Sequence, residues 1–165
     1  MNLLISVFIL ILILFSVFTY AFVDINLSYL ASLYTGLYLN QRFLLTVIYS
    51  VLIFILFGCF HLLTRNVEKL KNNVNKIILF IILATIFAYP AALTFDIFNY
   101  ITTAKVAFFY QENPYIVYPI EFLNDPYLAF TRATNKTALY GPFWILLTGI
   151  PHFAGLGNFV LTIFS

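Results

Sequence analysis

Four long stretches without a single Asp, Glu, Lys or Arg set the terms on which this chain can fold: residues 3–23, 43–63, 77–95 and 143–164. A helix that crosses a bilayer core needs about 20 consecutive apolar residues, and each stretch comes close to that length. Only 8% of the residues are charged, against roughly 25% in a soluble domain. Too few polar side chains remain to cover a water-facing surface, so lipid is the expected solvent for much of the chain. The reading is all-α: a polytopic transmembrane helical bundle forming a single transmembrane domain over residues 1–165. The first stretch lacks a basic leader and a small-residue cleavage site, so it reads as a retained helix and not as a removed signal peptide. The fourth contains Gly149, Pro151, Gly155 and Gly157, and reads either as a bent span or as a re-entrant segment.

Charge sets the expected orientation, because Lys and Arg concentrate in loops that stay in the cytoplasm. Between the second and third stretches lie Arg65, Lys69, Lys71 and Lys76, opposed by Glu68 alone. That loop is predicted inside, which puts the N-terminus inside and residues 96–142 outside. The membrane in question would be the cell membrane of a prokaryote or the endoplasmic reticulum of a eukaryote. The segment 25–39, apolar and aromatic, is expected to lie flat in the outer interface. Tyrosines crowd the outer loops, and an interfacial aromatic belt accounts for most of them; stacking against a sugar is the other reading. The cations are spread along the chain without the dense stripe that phosphate backbones attract, so nucleic acid is not an expected partner. Cys59 is the only cysteine, which leaves no disulfide within the chain.

Chemistry concentrates after the third stretch. From Asp96 the sequence predicts an outer interfacial helix reaching about Tyr110. A carboxylate in its first turn complements the helix dipole. At about 100° per residue, Asp96, Tyr100, Thr103, Ala107 and Tyr110 share one face, while Phe98, Ile101, Lys105 and Phe109 take the other. On these residues alone, an aspartate at a helix start is more often a cap than a catalyst. Three proline turns follow, Asn113-Pro114-Tyr115, Tyr118-Pro119 and Asp125-Pro126-Tyr127. Residues before proline favour extended backbone, so a compact proline-rich loop is expected there. The chain re-enters the membrane through Tyr140-Gly141-Pro142-Phe143-Trp144, with Pro142 well placed in a first helical turn.

The order Asp-Ile-Phe-Asn-Tyr, Asn-Pro-Tyr, Asp-Pro-Tyr, Tyr-Gly-Pro-Phe-Trp resembles the GT-C superfamily of membrane glycosyltransferases. It is most similar to the polyprenol-phosphate-sugar-dependent, mannosyltransferase-like members, and the resemblance covers residues 95–144, roughly a third of the chain. It implies transfer of a hexose, mannose-like, from a polyprenyl-phosphate donor to a hydroxyl-bearing glycan or lipid acceptor at the outer membrane face. Asp96 would then be the acidic catalytic residue, its carboxylate deprotonating the acceptor hydroxyl as a general base. Tyr100, Asn113, Tyr115 and Tyr140 would shape the substrate pocket, with Thr103 on the same helix face as Asp96. From charge and side alone, Arg132, Lys136 or His152 would meet the donor phosphate. No metal site is predicted, and use of a divalent metal is left open. Family members have more spans than this chain shows, so an N-terminal part of a longer transferase is expected, lacking some of the donor pocket. The alternative is a non-catalytic membrane scaffold or a carrier component for lipid-linked sugars. A carrier would place ionisable groups inside its spans, and here they sit at the edges.

Overall fold

A computed structural model describes residues 1–27, 37–92 and 94–165 of the chain. Among the described residues the secondary structure is helical, without strands. The α-helices are α1 (Asn2–Phe18), α2 (Leu37–Asn40), α3 (Arg42–Arg65), α4 (Val74–Phe87), α5 (Asp96–Phe108), α6 (Pro142–Ala154) and α7 (Phe159–Phe164). They fall into two compact units, Met1–Tyr89 and Pro90–Ser165. Most of the interfacial segment expected over 25–39 lies outside the described residues.

In the first unit, three helical stretches are long and apolar enough to cross a membrane: Asn2–Phe22, Arg42–Arg65 and Val67–Phe87. The first and third include the 3-10 turns Thr19–Phe22 and Val67–Asn73. α1 packs against both α3 and α4. Its residues Ile5, Phe8 and Ile9 are buried with Cys59 and Leu63 of α3 and with Leu70 of the connecting turn. The outward faces carry Phe43, Phe54 and Phe57, exposed to 84%, 77% and 68%. A helical surface of that kind, large and apolar without polar relief, is compatible with a lipid environment and costly in water.

The third apolar stretch does not form one helix to residue 95, as the hydropathy alone predicts. α4 ends at Phe87, and Ala88 is extended at ψ 144. The reason is Pro90: its ring disfavours helical backbone at Tyr89 and removes a backbone donor. The end is pinned to the 3-10 turn Thr19–Phe22 that follows α1. The Tyr89 backbone N–H donates to Thr19 Oγ1 at 2.7 Å, and Tyr20 Oη donates to the Phe87 carbonyl at 2.9 Å. Asp96 therefore opens a new helix and does not terminate a span.

The second unit is built around α5, where Phe98 and Ala104 have no exposed surface and Val106 is 1% exposed. Phe98 packs its ring against Phe95, Phe130 and Phe159. α6 lies along α5. The stretch 143–164, expected as a span bent or re-entrant, is divided into two helices, and neither α6 nor α7 has the length to cross alone. The chain turns between them through Leu156 and Gly157, at φ 48 and 78, and Asn158 Oδ1 accepts the Leu161 N–H to start α7. Gly155 makes the tight return possible. A Cβ on it would collide with the Thr162 side chain and come within 2.9 Å of the Thr162 Cα. Gly155→Ala is therefore expected to lower stability by about 1–3 kcal/mol. Thermal unfolding in detergent followed by near-ultraviolet circular dichroism checks this, and an unchanged midpoint would contradict it.

Candidate functional site

The segment that carries the chemistry lies wholly in the second unit, and its two aspartates have opposite surroundings. Asp96 occupies the first turn of α5 and is exposed. Its backbone N–H donates to Thr94 Oγ1 at 3.1 Å, while its carboxylate makes no hydrogen bond or ion pair with a described residue. Asp125 is buried and saturated. Lys105 Nζ donates to its Oδ1 at 2.8 Å, Tyr110 Oη donates to its Oδ2 at 2.9 Å, and the Tyr127 N–H donates to Oδ1 at 2.9 Å. The Lys105 ammonium also sits 3.7 Å from the centre of the Tyr127 ring. Asp125 thus uses its capacity locally, capping the turn Pro126–Ala129 and holding the loop to α5.

One turn along α5 from Asp96, Tyr100 meets Tyr140 and Trp144. The ring centroids of Tyr100 lie 4.7 Å from Tyr140 and 5.4 Å from Trp144, both edge-on. Tyr140 comes from the end of the loop and Trp144 from the first turn of α6, where Pro142 starts the helix. Tyr140 lines one cleft, and Tyr100 and Trp144 line another. The first is a small polar cleft of about 20 Å³, lined by Asn99, Thr103, Thr131, Lys136, Thr137 and Tyr140 among others. The second is a larger, open apolar cleft of about 280 Å³, with Ile97, Tyr100, Ile101, Trp144, Leu147 and Ile163 in its wall.

The loop is fixed against α5 at defined points. Asn99 Oδ1 accepts the Ala133 N–H at 3.2 Å, and the hydroxyls of Thr102 and Thr131 are 2.6 Å apart. The two ends of the loop are joined by the Ala138 N–H donating to the Pro114 carbonyl at 2.7 Å. Tyr115 Oη donates to the Tyr140 carbonyl at 2.7 Å, which places the Asn-Pro-Tyr turn behind Tyr140. Asn113 spends its Oδ1 on the Tyr115 N–H at 3.0 Å, so it forms the turn and does not face the clefts. The Arg132 guanidinium lies 4.8 Å from the centre of the Phe95 ring, next to Asp96 in sequence.

Of the residues singled out in the sequence, the structure groups Asp96, Tyr100 and Tyr140 toward the start of α5, with Tyr115 behind Tyr140, whereas Thr103 lies about two turns along the helix in the polar cleft and Asp96 lines neither cleft. Tyr110 departs from the predicted face. α5 stops at Phe108, and Gln111 takes φ 57, so the Tyr110 side chain joins Lys105 at Asp125. His152 contacts Phe108 at the opposite end of α5, about 18 Å along the axis from Asp96. Sequence reasoning missed the Lys105–Asp125–Tyr110 cluster. The Asp-Pro pair signals a capped turn, but nothing local indicates its partners. Among the described residues, no three His, Cys, Asp or Glu side chains converge as a metal-binding group.

Three phenols here are hard to ionise, Tyr110, Tyr127 and Tyr140, with Tyr127 pushed up first by burial and then by the charge of Asp125. Tyr110 is pushed up to about 12, first by burial and then by its hydrogen bond to Asp125 and that carboxylate's charge. Tyr140 is also pushed up to about 12, first by the neighbouring Tyr100 hydroxyl, then by burial and by the charge of Asp96. Unfolded tyrosine titrates near 10. The stability linked to these neutral phenols is fully present below about pH 10 and is lost as pH rises through about 12. Absorbance titration at the tyrosinate band is expected to show late-ionising groups, one of which Tyr110→Phe removes. A tyrosine spectrum complete by pH 11 would contradict this.

In comparisons with known proteins, no family model matches this chain, and no curated protein or solved structure matches it.

Proposed function

We propose that this chain carries the acceptor-activating part of a polytopic membrane glycosyltransferase of GT-C type. It moves a hexose from a polyprenyl-phosphate donor to a hydroxyl acceptor at the outer face of the membrane, with the N-terminus in the cytoplasm and residues 96–142 outside. The observation that carries the reading is the contrast between the two aspartates. Asp125 is consumed by structure, whereas the Asp96 carboxylate is exposed and unpaired among the described residues, one helical turn from Tyr100. The ordered acid, aromatic and proline motifs in residues 95–144 supply the reaction class.

In this mechanism the Asp96 carboxylate accepts the acceptor's hydroxyl proton as that oxygen attacks C1 of the sugar. The bond from C1 to the lipid-phosphate oxygen breaks, and its electron pair leaves with the phosphate. Tyr100 and Tyr140 present ring edges and hydroxyls beside the carboxylate, and Thr103 supplies a hydroxyl to the polar cleft. Lys136, in the wall of the same cleft, meets the departing phosphate, with Arg132, whose guanidinium lies against the Phe95 ring, as the second cation of the loop. Tyr115 and Asn113 hold Tyr140 from behind.

The test is sugar transfer from polyprenyl-phosphate donors by the complete gene product, comparing wild type with Asp96→Asn. Loss of transfer with retained folding is expected. Wild-type turnover in the variant would leave the non-catalytic scaffold or carrier as the better reading.

A further inference from the structure

The strongest charged patch among the described residues lies in the first unit. Arg65 ends α3, Lys69 and Lys71 lie on the 3-10 turn Val67–Asn73, and Lys76 is in the first turn of α4. All four are exposed, and Glu68 is the only acidic residue among them. None of the four cations makes an ion pair or side-chain hydrogen bond with a described residue. The turn is nonetheless held firmly. Leu70, 7% exposed, is buried against Ile5, Phe8, Ile9 and Leu63. With Leu70 facing inward and about three residues per 3-10 turn, Lys69 and Lys71 are directed outward on either side of it.

A further fact points to an anion at this place. The patch sits where two helical stretches long and apolar enough to cross a membrane meet. α3, at 24 residues, is about 36 Å long and exceeds a hydrocarbon core of about 30 Å, so its end emerges among lipid headgroups.

We infer that the turn between α3 and α4 is a binding site for the headgroups of anionic phospholipids, with Arg65, Lys69, Lys71 and Lys76 as its cations. The inference rests on the membrane reading of α3 and α4 and is independent of any role for Asp96. Headgroup phosphates offer negative charge in the plane where these side chains lie, and each Lys or Arg near an anionic surface contributes about fivefold to association. The site holds annular lipid at one leaflet and steadies the end of the α1–α3–α4 unit there.

The full chain, carrying a photocrosslinking amino acid in place of Asn72, is reconstituted in phosphatidylcholine vesicles containing phosphatidylglycerol. Crosslinking to phosphatidylglycerol is expected to exceed its share of the bilayer. That selectivity should fall by about fivefold for each charge removed across K69Q, K71Q and K76Q, survive in the corresponding Lys→Arg variants, and weaken with salt. Circular dichroism confirms that the glutamine variants keep their helices, since the side chains changed are exposed. Crosslinking in proportion to bilayer composition, or selectivity unchanged in the triple glutamine variant, would overturn the inference. So would displacement of the lipid by millimolar inorganic phosphate, which would mark a site for a soluble anion. Sugar transfer is not the readout, so failure here leaves the Asp96 proposal standing.

Discussion

Asp96→Asn is expected to lower sugar transfer from a polyprenyl-phosphate donor by about 10²–10⁴-fold, the usual contribution of a positioned general base. Asparagine keeps the size and the hydrogen-bonding shape of the side chain but cannot take the acceptor's proton. Its cost in stability should be small. The exposed carboxylate makes no hydrogen bond or ion pair with a described residue, so the loss is confined to its favourable position at the N-terminus of α5, about 0.3–1 kcal/mol. Steady-state transfer and thermal unfolding measured on the same preparation separate the two quantities. A decrease in transfer that tracks a fall in the unfolding midpoint would make Asp96 a structural cap.

Asp125→Ala should behave in the opposite way, destabilising the second unit by about 3–5 kcal/mol. The Lys105 and Asp125 side chains are only 13% and 2% exposed. Removing the carboxylate leaves a half-buried ammonium without its counter-ion and strips the acceptor from Tyr110 Oη and from the Tyr127 N–H. The contact of Lys105 with the Tyr127 ring remains, but a ring face compensates a half-buried cation less well than a carboxylate does. The double variant Lys105→Met, Asp125→Leu should recover much of the loss, because an apolar pair carries no unpaired charge. Denaturant unfolding of the three variants closes the cycle. An Asp125→Ala cost below about 1 kcal/mol would mean that the pair is solvated like a surface bridge.

These two aspartates also show what local sequence can and cannot convey. Both precede aromatic residues in motifs of similar appearance, Asp-Ile-Phe-Asn-Tyr and Asp-Pro-Tyr, and only their partners in space distinguish an open carboxylate from a saturated one. Lys105 is 20 residues from Asp125 in the chain, beyond the reach of any helical or turn periodicity. The same limit applies to Tyr110. Helical phase assigned it to the face of Asp96, but the left-handed backbone at Gln111 redirects the chain just beyond the helix. The polar cleft lined by Tyr140 and the apolar cleft lined by Tyr100 and Trp144 bring together residues from α5, the loop and α6, and so emerge only on packing.

Taken alone, the sequence determined the all-helical character, two of the helical stretches nearly to the residue, and the start of α5 at Asp96. It could do so because uncharged apolar runs and acidic first turns act through neighbouring residues and their solvent. Where hydropathy was continuous but the backbone was interrupted, it overreached. Pro90 ends α4 at Phe87, and the turn through Leu156 and Gly157 divides the last apolar stretch into α6 and α7. Tertiary structure decided the rest. A buried carboxylate must find a cation and hydrogen-bond donors wherever packing supplies them, and Asp125 found Lys105, Tyr110 and the Tyr127 backbone, while the Asp96 carboxylate stays exposed.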